Sequence, residues 1–179
     1  MISVGDYVRR VIVGVDGSMG SLQALRHAVS EARLHEAPLS AVIAFTPPGG
    51  EFVDRKAPNP ELRRYWKTAA AQQLRSAFDE ALGGIPADLH VDLLAVPCWA
   101  GRALVSIADQ EGDLLVIGTG NAGWIRRTFT RSVSRYCVTR ATCRVLAVPA
   151  TVLSRELEHG LLPRALRHRR AVGALLATR

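Results

Sequence analysis

Gly118-Thr119-Gly120-Asn121 closes an apolar run and opens a loop that ends at Arg131-Ser132, just before a helical segment. These residue types at this spacing suit a phosphate. A parallel strand that ends at such a loop directs backbone N–H groups, and the positive end of the next helix dipole, at one place outside the sheet. Gly118 permits a close backbone approach, and Gly120 and Gly123 add conformational freedom. Asn121 still reaches left-handed conformations more readily than most residues. Ser132 offers a hydroxyl, either to a ligand or as an ordinary helix cap. Val133 adds a backbone donor beside it.

Gly118, two residues, Asn121, nine further residues, then Arg131 and Ser132 keep the spacing of the frame G-x2-G-x9-G-(S/T), which resembles the nucleotide loop of the universal stress protein family. The likeness extends to VIVGVDGS, Val11 to Ser18, which is similar to that family's first strand and turn. It extends also to SVSRYCVTRATCRVLAVP, Ser132 to Pro149, which is similar to its last helix and strand. With Gly101 opening a helix before the Asp113–Gly118 strand, the resemblance covers roughly residues 9–149. It implies an adenine-nucleotide alpha hydrolase-like sheet of order 3-2-1-4-5 and a site for ATP or AMP, with Mg2+ entering only through the nucleotide. It also implies a homodimer paired through the last strand. In the family pattern the aspartate at the position of Asp16 contacts the nucleoside, Val15 lies next to it, and the residue at the position of Phe45 lies beside the adenine. Phe45 also suits an apolar core, and Asp16 also suits a helix cap or an Asp-Gly-Ser turn.

The sequence departs from the frame at Asn121 and Arg131, which stand where the family has glycines. Two outcomes follow for Arg131. Its guanidinium either folds over phosphates as a charge-assisted clamp, assisted by Arg126 or Arg127, or it fills the pocket or points to solvent, leaving a loop without its ligand. Trp124 either covers the site or packs on a partner. Arg126, Arg127, Arg131 and Arg135 also suit a plain solvated face.

The elements that must position these residues read from apolar runs and their punctuation. Arg10–Asp16, RVIVGVD, is a short β-branched run that fits a strand buried on both faces. Ser18 then caps a helix in which Leu22, Leu25, Val29 and Ala32 recur at helical spacing. Pro38 stops it, and Leu39–Phe45 supplies a second strand. Residues 46–60, rich in Pro and Gly, mark a mobile connection. Leu62, Trp66, Ala70, Leu74, Ala77, Phe78 and Ala81 form an apolar stripe on a long helix ending near Gly83-Gly84.

A third strand, Leu89–Val96, alternates with His90 and Asp92 on one face, as a sheet edge does. A helix near 102–110, the strand Leu114–Gly118, a helix from Ser132 to about Arg140 and a last strand Arg144–Pro149 complete the pattern. Alternating strands and helices predict an α/β domain: five parallel strands, with right-handed crossovers that place helices on both faces. The uniformly apolar first and fourth strands belong at the centre.

The chain of 179 residues is the size of one domain, here 1–150, followed by a basic extension, 151–179. Six arginines against Glu156 and Glu158 place +4 of the net charge of +7 in that extension. Leu161, Ala165, Val172, Leu175 and Leu176 can share one face of a helix whose start Pro163 fixes. Such a tail suits docking on its own domain or its dimer mate, or an acidic partner. The near-balanced body gives no strong nucleic-acid signal. No apolar stretch approaches the roughly 18 residues of a membrane span, and MISVGDYVRR lacks the apolar core of a signal peptide. The expected location is therefore cytoplasmic.

Cys98, Cys137 and Cys143 form an odd set without a CxxC pair, arguing for buried thiols over disulfides or zinc. The five histidines lack metal-ligand spacing, so no metal site is predicted. There is no nucleophile, base and orienter trio, and with only Lys56 and Lys67 there is no phosphate-loop lysine. Two functions remain open: a non-catalytic stress-response or signalling protein with an altered ATP/AMP site, and a nucleotide-free interaction module acting through its basic tail.

Overall fold

Two of the most apolar segments of the chain, VIVG and LLVIG, lie side by side at the centre of a parallel sheet. The computed structural model describes residues 7–46, 59–119 and 133–149. In chain order they form β1 (Arg10–Gly14), α1 (Met19–Leu34), β2 (Leu39–Ala44), α2 (Pro60–Leu82), β3 (Val91–Val96), α3 (Ala100–Ile107), β4 (Asp113–Thr119), α4 (Val133–Arg140) and β5 (Arg144–Pro149). The strand order is β3-β2-β1-β4-β5, all parallel, with Val13 opposite both Ala41 and Val116.

Successive strand residues point to opposite faces, so each central strand feeds two cores. On one face Val11, Val13, Ala41, Leu114 and Val116 pack under α1 and α2; on the other Ile12, Val42, Leu115 and Ile117 pack under α3 and α4 with Leu104 and Cys137. The helices therefore lie on both faces. The outer strand β3 is only partly buried, and His90 and Asp92 meet on its solvent side with 3.5 Å between Nε2 and Oδ1.

Local chemistry sets the element ends. Ser18 Oγ accepts the Ser21 N–H at 3.2 Å and caps α1. The helix ends before Pro38 acts: Glu36 takes φ 51°, and the Ala37 N–H bonds the Ala32 carbonyl at 2.9 Å. Gly83, at φ 76°, stops α2. β1 ends two residues earlier than the apolar run suggests, at Gly14, although the Val15 N–H still bonds the Val42 carbonyl of β2. The stripe on α2 is core only in its second half: Ala70, Leu74, Ala77 and Phe78 are buried, but Leu62 and Trp66 are 42% and 37% exposed.

The amino ends of the central strands are held by a fully buried carboxylate. Asp113 accepts a bidentate pair from Arg10, at 2.9 and 2.7 Å, and the Gln110 N–H at 3.1 Å. The same guanidinium donates to the Ile107 carbonyl at 2.8 Å. Its hydrogen bond to Asp113 raises the Arg10 pKa further. This staple joins β1 to β4 at the end of the sheet opposite the loop, and leaves the carboxyl end to other work. The cysteines are all free; Cys137 is buried, and Cys98 and Cys143 are half-buried.

Candidate functional site

The switch point of this sheet lies between β1 and β4, where connections leave to opposite faces, and ligands of open α/β sheets bind at the carboxyl ends there. The turn after β1 is tightly tied. Asp16 Oδ1 accepts the Ser18 N–H at 2.9 Å, and the Asp16 N–H donates to Ser21 Oγ at 3.3 Å. Gln73 of α2 donates from Nε2 to the Asp16 carbonyl, also at 3.3 Å. Gly17 sits at φ 77°, a conformation that favours glycine. The Asp-Gly-Ser turn thus forms, with Asp16 exposed at its head.

Val15 is buried beneath this turn and donates its N–H to the Val42 carbonyl at 2.9 Å. Phe45, just past β2, is half-buried against the core, and its N–H bonds the Val96 carbonyl at 3.0 Å. Gly118 ends β4. A Cβ there would stand 2.5 Å from the Gly20 carbonyl oxygen and 3.1 Å from the Ser21 nitrogen. The close approach that demands glycine is therefore that of the first turn of α1. Val133 opens α4, among the backbone donors of a first turn that lack intrahelical partners. Ser134 Oγ donates to the Gly118 carbonyl at 2.9 Å, and Thr119 Oγ1 to the Val148 carbonyl at 3.2 Å. These bonds join the exit of β4 to the start of α4 and to β5.

Val15, Asp16, Phe45, Gly118 and Val133 thus gather at the carboxyl end of the sheet. Gly120, Asn121, Arg131 and Ser132 lie outside the described residues, as do Gly123, Trp124, Arg126, Arg127, most of the 46–60 connection and the extension after residue 150. Among the described residues this end of the sheet brings together a carboxylate, an aromatic ring and a polar turn. Ser21, Gln73 and Ser134 support this end and escaped the sequence reading. For Ser21 the Ser18-x-x-Ser21 spacing was a usable signal; Gln73 and Ser134 had none. A shallow groove of about 380 Å³, bordered by Arg33, Glu36, Asp88 and His90, lies at the other end, where β2 and β3 begin. Among the described residues no three His, Cys, Asp or Glu side chains gather as a metal site, and no helix is long and apolar enough to cross a membrane.

Residues 8–149 match the family model of the universal stress protein family. A universal stress protein of Thermus aquaticus is 30% identical over 144 residues, spanning 78% of this chain and 98% of its own. Among solved structures, a universal stress protein in complex with cAMP shares 26% identity at TM-score 0.57, covering 82% of this chain and all of its own. The universal stress protein of Archaeoglobus fulgidus in complex with dAMP, 22% identical at TM-score 0.50 over 79% of this chain and 98% of its own, shares the fold.

Proposed function

Because the chain belongs to the universal stress protein family, we propose that it is a dimeric, non-catalytic stress-response or signalling protein that takes an adenine nucleotide. ATP or AMP binds at the carboxyl ends of β1, β2 and β4, and Mg2+ arrives only with the nucleotide. The observation that carries this reading is the convergence of Asp16, Phe45, Gly118 and the first turn of α4 at the switch point. The relative in complex with cAMP supports the same ligand class.

Asp16 meets the ribose, Phe45 and Val15 line the base side, and Gly118, Gly120, Asn121, Ser132 and Val133 offer donors to phosphate. Arg131 makes the site an altered one. The domain 1–150 carries the nucleotide, and 151–179 is a basic helical extension for an acidic partner. Among the described residues β5 pairs with β4 alone, which supports pairing of its other edge across a two-fold axis. Free thiols suit a cytoplasmic setting.

Calorimetric titration of the wild-type chain and of Arg131→Gly with ATP tests the proposal. Binding by the wild type supports a clamp, and binding by the glycine variant alone identifies Arg131 as the block. Binding by neither refutes the nucleotide site. That result would favour the second reading, a ligand-free interaction module, for which the +4 charge of residues 151–179 speaks.

A further inference from the structure

α2 is longer than the sheet beneath it is tall. Its 23 residues rise roughly 34 Å at 1.5 Å each, against roughly 20 Å for a strand of six. Two hydrogen bonds set its height. Gln73 reaches the Asp16 carbonyl, level with the carboxyl end of β1, and Arg26 of α1 donates to the Ala81 carbonyl at 2.9 Å, further down. The part of α2 before Ala70 therefore stands above the sheet, roughly 15 Å of helix. Residues 60–68 are exposed throughout, Leu62, Tyr65 and Trp66 among them.

Helical spacing places these side chains. Trp66 lies seven residues before Gln73 and Leu62 eleven before it, so all three share the stripe that meets the β1–α1 turn. Trp66 is about 10 Å above Gln73 along the axis, the span of a nucleoside whose sugar hydroxyls meet Asp16. Tyr65 packs edge-on against the indole, ring centres 5.6 Å apart at 80°, and buttresses it. Arg63 and Lys67 precede Ala70 and Leu74 by two turns and continue the stripe that packs on the sheet. They thus stand on the side above the carboxyl ends of β2 and β3. A flat apolar ring above a carboxylate suits a nucleoside, with the base on the ring and the sugar hydroxyls on the carboxylate.

We propose that this overhang is the base-side wall of the nucleotide site, with Trp66 stacking on the purine. The inference rests on the nucleotide reading above and adds a residue outside the loop motif. Its test is calorimetry of the full chain, Trp66→Ala and Trp66→Phe with ATP and, separately, with inorganic triphosphate, alongside thermal melting and tryptophan emission. Stacking predicts an ATP affinity about tenfold lower for Trp66→Ala and within about twofold of wild type for Trp66→Phe. Triphosphate affinity stays the same in all three, and the ATP-induced change in emission shrinks in Trp66→Phe although ATP still binds. Wild-type ATP affinity in Trp66→Ala overturns the wall and leaves the nucleotide reading standing. Equal loss of ATP and triphosphate affinity also overturns the wall. A wild-type chain that takes no adenine nucleotide overturns both.

Discussion

Replacing Gly118 with alanine separates two reasons for a glycine at the end of β4. The backbone of Gly118 is not left-handed, so conformational freedom is not the issue; space is. The added Cβ would sit 2.5 Å from the Gly20 carbonyl oxygen and 2.7 Å from its carbon. Ordinary contact at roughly 3.5 Å requires the two segments to part by about 1 Å. The obstacle is backbone and cannot rotate aside. It is also anchored, because Gly20 and Ser21 are buried and Ser21 is tied to both Ser18 and Asp16. The cost therefore falls at the upper end of overpacking, about 3 kcal/mol, or roughly 10 °C of Tm for a domain of this size. Thermal unfolding of Gly118→Ala without any nucleotide measures it. A variant that melts with the wild type yet loses ATP refutes the reasoning, since the glycine would then serve the ligand and not the seat of α1.

Two further outcomes are expected. Arg10→Met strands the Asp113 carboxylate, whose side chain is fully buried, and costs about 3 kcal/mol; the double variant with Asp113→Leu recovers much of it, and denaturant midpoints that show no recovery count against a coupled pair. Burial pushes the Cys137 thiol up to about 11, while an unfolded thiol titrates near its ordinary value of about 8.5. The unfolded chain therefore releases this proton first, so the stability tied to the neutral thiol is intact below that value and is lost as pH rises through the folded one. Cys137 accordingly resists iodoacetamide at pH 8 until denaturant is added, and native-state labelling would contradict its burial.

Much of the scaffold was legible because β-branched runs bounded by Gly, Pro and Ser leave few alternatives. β5 was read to the residue, and Ser18 caps α1 as its position suggested. The strand order came from family resemblance and not from composition. What the sequence concealed depends on distance in space. Nothing local to Arg10 points to a carboxylate 103 positions away. The spacing of Leu62 and Trp66 reads as core because periodicity reports which face a side chain occupies, not whether a partner extends that far. At Gly118 the need for a bare backbone was visible, but the atom that approaches it, the Gly20 carbonyl, belongs to a helix almost a hundred residues earlier.

The bond from Ser134 to the Gly118 carbonyl has a consequence for how such a protein can change. It fastens the two ends of the 120–132 span to each other through groups that belong to the framework. The span can therefore be rewritten without unravelling the layers beneath it, and doubling its length adds only about 0.6 kcal/mol of closure entropy. Lineages can thus trade one small molecule for another, or for none, on an unchanged chassis.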